Sequence, residues 1–162
     1  MKKLAFALVF SCGCAAGAPQ TAQWDSAAAQ DVRAVWDRTM QLMGSLDLQG
    51  TVDLIADDGF IGAYDLDMQD KPVTLSTKAE ASKFMEGMMA EMKKGGGTMT
   101  FKTRSFECRA TSTFAVCRAD MELAVTIGGQ TMTQRSHVTG VLRKGTDGWK
   151  WTHWHVSLAK AG

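Results

Sequence analysis

All three histidines of the chain lie in its last quarter: His137 in "RSHVTG", and His153 and His155 in "WKWTHWHVSL", residues 149–158. Imidazole titrates near neutral pH and suits proton transfer. His153 and His155 are therefore the candidate general bases, and Asp120 and Glu122 of the neighbouring segment could orient a ring. Arg135 offers a planar guanidinium that can grip an anionic ligand through two hydrogen bonds; the same side chain serves equally as an ion-pair partner. Three imidazoles facing one way would suit zinc. No carboxylate can be argued to hold them from behind, so no metal is expected. Eleven methionines raise Cu(I), which thioethers bind. Yet Met85, Met88, Met89 and Met92 recur at the spacing of a core-facing helix stripe, where Met is an ordinary filler. No cofactor is expected.

The last segment must be a strand for this chemistry to work. Period two puts Trp149, Trp151, His153, His155 and Ser157 on one face and Lys150, Thr152, Trp154, Val156 and Leu158 on the other. "GTDG" at 145–148 is a turn signal. Pairing Lys144 with Trp149 across it sets Val138 beside His155. A slip of one residue sets His137 beside His155 and Thr139 beside His153. Both registers stay open. Trp154, on the face away from the histidines with Val156 and Leu158, is expected to be an exposed interface residue.

The elements before it follow from periodicity and punctuation. Asp25 or Ser26 caps a helix whose apolar stripe is Val32, Val35, Trp36, Met40 and Met43, ending near Gly44. A short amphipathic segment carries Leu48, Val52 and Ile55, and "GFIGAYDLDM" reads as a strand. Thr77 and Glu80 form a capping box for a helix that stops at the glycines of 95–97. Long strands follow at 98–110, 113–127 and 130–144, with Gly128-Gly129 as a hairpin signal. Segregated helices and strands predict an α+β fold, with the N-terminal helices on one face of a curved antiparallel sheet, a cup that can hold a pocket.

Within "FECRATSTFAVCRAD", a turn at Ser112-Thr113 pairs Thr111 with Phe114 and places Cys108 opposite Cys117 in a non-hydrogen-bonded pair, close enough to bridge. The leader decides whether they do. "MKK" followed by "LAFALVF" is a positive segment and a short apolar run, far below the roughly 20 residues that span a bilayer, and it reads as an export signal. In an oxidising compartment the Cys108–Cys117 disulfide is expected.

The stretch "RSHVTGVLRKGTDGWKWTHWHVS" resembles the C-terminal half of the SnoaL-like branch of the nuclear transport factor 2-like superfamily, through Arg135, Thr139, Arg143, Lys144, Trp149, Lys150, His153, His155 and Ser157. The resemblance runs over about residues 25–160. It implies a cone-shaped barrel whose His-x-His face points into the cup, and a homodimer formed through the sheet. On that basis the expected ligand-binding set is Arg135, His137, Thr139, Trp151, His153 and His155. Ketosteroid isomerases of the superfamily need a carboxylate base with a tyrosine and a protonated acid. The single tyrosine, Tyr64, falls on a strand here, so that triad is not assignable. Val9, Ser11 and Cys12 likewise resemble the lipobox of bacterial lipoproteins, implying cleavage before Cys12 and a lipid on that residue; Gly13 fits sorting to the outer membrane. The alternative, cleavage after residues 16–18, would leave Pro19 behind the cut.

The expected organisation is a signal peptide (1–11), a lipid-attached tether (12–23) and one domain (24–162), facing the periplasm from the outer membrane and touching the membrane only through its anchor. With 18 basic against 17 acidic side chains and a net charge of +1, the chain shows no electrostatic footprint for nucleic acid. A small-molecule binder in the cup is the first expectation. An isomerase or lyase with a histidine base is the second, and an assembly module with a filled cup is the third.

Overall fold

The computed structural model describes residues 24–65 and 71–159. The expected leader, the lipid-bearing Cys12 and the tether lie outside the described residues. Helix α1 (Ser26–Gly44) begins where the Asp25 carboxylate accepts from the N–H groups of Ala27 and Ala28, two donors that the first turn leaves without partners. It buries Ala28, Val32, Trp36 and Met40 on one stripe. Helix α2 (Leu48–Asp53) is capped by Asp47. Helix α3 (Lys78–Lys94) starts at Thr77, whose hydroxyl accepts from Glu80 N–H, while the Glu80 carboxylate reaches back to Ser76 N–H at 2.7 Å. It ends at Gly95, followed by Gly96 at φ +60°.

Six strands form one sheet: β1 (Ile61–Tyr64), β2 (Val73–Leu75), β3 (Thr98–Ala110), β4 (Phe114–Ile127), β5 (Gln130–Gly145) and β6 (Gly148–Leu158), in the order β2-β1-β6-β5-β4-β3. The α+β class and the curved sheet with N-terminal helices are as the sequence predicts. Two details differ. Strand β2 was not expected, being only three residues behind Pro72, and β1 lies parallel to β6, so the sheet is mostly rather than wholly antiparallel.

The β3–β4 hairpin has the predicted pairing: Ala110 faces Ala115 and Cys108 faces Cys117, with Cα atoms 4.1 Å apart and the two sulfurs bonded. The β5–β6 pairing follows the first predicted register near the turn and neither of the two beyond it. Lys144 faces Trp149 and Leu142 faces Trp151, but Val141 faces His153 and Thr139 faces His155. Thr152 is an extra residue, a β-bulge that leaves the alternation out of step on its two sides. Its hydroxyl donates to the Val141 carbonyl at 3.2 Å. Arg104 is a second extra residue, between Thr103 and Ser105 on β3.

The bulge decides what the sheet faces. Before it, Trp149 and Trp151 are buried; after it, Trp154 and Val156 are buried. Trp154 is thus 5% exposed, stacked on Trp36 with ring centroids 5.4 Å apart and edge-on to Trp151 at 4.6 Å. The expected exposed interface residue is a core residue. The sequence pattern assumed unbroken alternation, and one inserted residue reverses it.

Candidate functional site: an apolar cavity under the sheet

Three tryptophans, Trp36, Trp151 and Trp154, fill one part of the concave side. Two of their indole N–H groups are satisfied by threonines: Trp36 donates to Thr103 at 2.8 Å and Trp151 to Thr39 at 2.9 Å. The Thr39 hydroxyl donates onward to the Val35 carbonyl within α1. Buried indole N–H groups usually find acceptors, although that of Trp149 has none among the described residues; this chain of bonds sets the Trp151 ring on the backbone of Gly140. A Cβ at position 140 would lie 2.4 Å from Trp151 Cζ3.

Beside the tryptophans a narrow cavity remains, with about 60 Å³ of room for the centres of water-sized spheres. Six methionines line it: Met40 and Met43 of α1, Met85 and Met88 of α3, Met99 of β3 and Met121 of β4. Phe60, Phe84 and Phe101 complete the wall with Trp151 and Trp154. The polar lining comes from Thr39, Thr51 and Tyr64. Tyr64 sits on β1 with its ring 5.2 Å from that of Phe84. As a residue it is half-buried, but protein surrounds its phenol oxygen. Burial pushes the phenol well above its ordinary pKa, so it is a neutral hydroxyl at any physiological pH. No carboxylate, imidazole or cation is among the lining residues. The wall is almost wholly apolar, and six of its side chains are flexible thioethers.

The opposite face of the sheet is wet and charged. Ser105, Asp120 and His137 stand in one row: the Ser105 hydroxyl donates to Asp120 Oδ2 at 2.8 Å, and Asp120 Oδ1 meets His137 Nδ1 at 2.7 Å. These bonds hold the Asp120 carboxyl below its usual value, that from Ser105 first and that from His137 second. In the next row Glu107 pairs with Arg118 at 2.8 Å, and His155 Nδ1 lies 3.4 Å from the Thr139 hydroxyl. His153 pairs with Ile61 of β1. Its pKa is lowered, chiefly by desolvation and then by the neighbouring His155.

A family model for the SnoaL-like domain matches residues 32–161. The chain belongs to the SnoaL-like domain family. No curated protein matches it. Solved structures share the fold at low identity. A nuclear transport factor 2-like protein from Streptomyces avermitilis, provisionally named a dehydratase, is 17% identical with a TM-score of 0.72, over 85% of this chain and 100% of that one. One of unknown function from Pseudomonas putida KT2440 is 18% identical with a TM-score of 0.69, over 86% of this chain and 92% of that one. A protein from Novosphingobium aromaticivorans, provisionally named an aromatic ring hydroxylase, is 14% identical with a TM-score of 0.70, over 86% of this chain and 94% of that one. At such identities the likeness is of fold.

In this SnoaL-like domain the expected ligand-binding set does not converge. Trp151 alone lines the cavity. Arg135, His137 and Thr139 are exposed on the outer face; Arg135 lies 3.9 Å from Glu122 as an ion-pair partner. His153 and His155 alternate with the inward Trp154 and so face outward too, on the far side of the sheet from the cavity. The physical reason is again the Thr152 bulge. Among the described residues no cluster of three or more His, Cys, Asp or Glu is placed to hold a metal. In the methionine stripe of α3, Met85, Met89 and Met92 are buried in the core, and Met85 and Met88 also line the cavity. Thr39, Thr51 and Tyr64 were missed. A polar residue at a core-facing position of α1, where Thr39 follows Trp36 by three, was the signal that could have found the first.

Proposed function

We propose that this SnoaL-like domain is an envelope-tethered binding module for a small, uncharged, mainly apolar organic molecule. The observation that carries the reading is the cavity of about 60 Å³ walled by methionines and aromatic rings, with Thr39, Thr51 and Tyr64 as its polar groups. Such a site recognises shape and apolar surface, with a few hydroxyls to orient one polar substituent. A lipid on Cys12 and a periplasmic, outer-membrane location fit the leader, and the Cys108–Cys117 bridge fits an oxidising compartment. A homodimer would use the outer face of the sheet near β1, where Ile61 is exposed beside His153. The histidine-base reading draws no support from the cavity, whose walls contain no imidazole.

The test is a thermal melt of the purified protein with 1-naphthol, and with benzoate as the charged control. Saturation at about 100 times Kd raises stability by roughly 2.7 kcal/mol, visible as a shift of several degrees. Naphthol should shift the melt of the wild type and not that of Met121→Trp, in which the added ring fills the cavity. A melt indifferent to naphthol, or a benzoate shift of equal size, would refute the reading.

A further inference from the structure

We propose that the domain makes a second contact with the membrane besides its lipid: the corner of the outer face where the chain enters the domain, built on Trp24, Arg109 and Phe114, rests against the bilayer surface. The proposal rests on the reading of Cys12 as the lipid-bearing residue.

Four of the five tryptophans are no more than 5% exposed, whereas Trp24 is 52% exposed. Stability of the domain gives no reason to leave so large an apolar side chain in water, but indole is the side chain best suited to the headgroup zone, with an apolar body and one polar N–H. The Arg109 guanidinium lies 5.8 Å from the Trp24 ring centroid, where it can hold the ring and still donate to a phosphate. Phe114, first residue of β4 after the Ser112-Thr113 turn, is 45% exposed, and so is Val116 two residues on. Trp24, Arg109, Val116 and Arg118 border one open depression. Arg118 is paired with Glu107, while Arg109 has no ion pair among the described residues. Glu107 and Asp25 balance the two cations of this corner, and Arg109, the one without an ion pair among the described residues, is the group that an anionic lipid surface attracts.

Geometry says why the occupant is the bilayer. Asp25 N–H donates to the Ala110 carbonyl at 2.8 Å, which pins the chain's entry to the end of β3, beside the hairpin turn. From Cys12 to Trp24 is 24 − 12 = 12 residues, a leash of at most roughly 40 Å when fully extended. A lipid on Cys12 therefore holds the domain close to the surface by this corner. The other exposed apolar pair, Ile127 and Met132, flanks the β4–β5 turn at the opposite end of the strands and has no such leash.

The buried state of the other four indoles makes Trp24 a selective probe. The full-length protein, expressed and lipidated in a bacterial host, is reconstituted into vesicles of phosphatidylethanolamine and phosphatidylglycerol with or without brominated acyl chains, and its mass is measured. Bromination should lower wild-type emission by Trp24's share, at most about one part in five. It should leave Trp24→Phe unchanged, and Arg109→Glu should abolish the effect while leaving the melt intact. Equal emission in both vesicles from protein whose mass shows the lipid overturns the proposal and leaves the anchor standing. A mass without lipid overturns the anchor and the proposal together. Concentration-dependent shielding of Trp24 from acrylamide in the unlipidated Cys12→Ser protein, without vesicles, would make this corner a contact between copies and overturn the proposal as well.

Discussion

Strand β6 has two halves that obey the same alternation and give opposite results. In Gly148–Trp151 the odd-numbered residues, Trp149 and Trp151, enter the core; in His153–Leu158 the even-numbered ones do, Trp154 and Val156. The switch at Thr152 lets three tryptophans reach the concave side of a strand that can alternate only by twos. It also expels both histidines to the face where Asp120, Arg118 and Glu107 stand. The edge of β6 changes partner at the same place. Trp151 exchanges hydrogen bonds with Leu54 and Ala56, while residues from His153 onward pair with β1. The inner face is held by packing and by the hydrogen bonds of buried indoles, each of which is costly to lose. The outer face is held by ion pairs in water, which contribute little individually. A difference of one residue therefore separates the dry half of the molecule from the wet half.

Deleting Thr152 breaks the comparison most directly. Straightened, the strand must turn Trp154 and Val156 outward or turn Trp149 and Trp151 outward. Exposing each large side chain costs roughly 1.5–3 kcal/mol, and burying His153 and His155 without partners adds roughly 1–3 kcal/mol for each. The sum approaches the roughly 5–15 kcal/mol that holds a whole domain together. The expected result is loss of the near-ultraviolet circular dichroism of the tryptophan cluster and of a cooperative melt. A cooperative deletion variant with native near-ultraviolet signal would show that the bulge is not what sorts the two faces.

Gly140→Ala is the next largest effect and sharpens the account of the inner face. The new Cβ meets the Trp151 ring at 2.4 Å, and that ring is held by its bond to Thr39 and by Trp154 against it. Overpacking of this kind costs about 1–3 kcal/mol. Because Trp151 is also a wall of the cavity, the naphthol shift should shrink together with the melting temperature. An unchanged melt would mean that the ring moves freely, and that the threonine bond does not fix it.

How far the sequence carried this follows from which signals were local. The caps at Asp25 and Thr77, the glycine stop after α3 and the Cys108–Cys117 pairing each depend on a few adjacent residues, and each stands as read. The inward face of the last strand depended on a bulge. A bulge is set by what two strands meet on their far edges, here Leu54 and Ala56 of a segment some hundred positions upstream. Nothing within "WKWTHWHVSL" reveals it, since either half alternates perfectly by itself. The cavity was legible in kind, as a hollow between sheet and helices, but not in lining. Methionine spacing on α3 showed a core stripe without showing that Met85 and Met88 stop short of closing it.

The smallest expected effect tests the wet half. His153 has its folded-state pKa lowered, first by desolvation and then by the His155 charge, so the unfolded chain takes up this proton more readily than the folded one. Stability then rises with pH wherever the unfolded state holds more protons. Above the ordinary histidine value of about 6.5 the group has no effect. As pH falls through that value toward the lower folded one, the folded state loses ground. Asp120 works in a separate window. Its carboxyl is held low by Ser105 and His137, so its contribution is fully present above the ordinary aspartate value of about 3.9 and is lost only as pH falls through the folded value beneath that. Between pH 5 and 7, therefore, the part of the slope in melting temperature that His153→Gln removes belongs to His153. If His153→Gln melts with the wild-type slope across that interval, the ring is as well hydrated in the folded domain as in the unfolded chain, and the boundary between dry and wet lies further inside the sheet than His153.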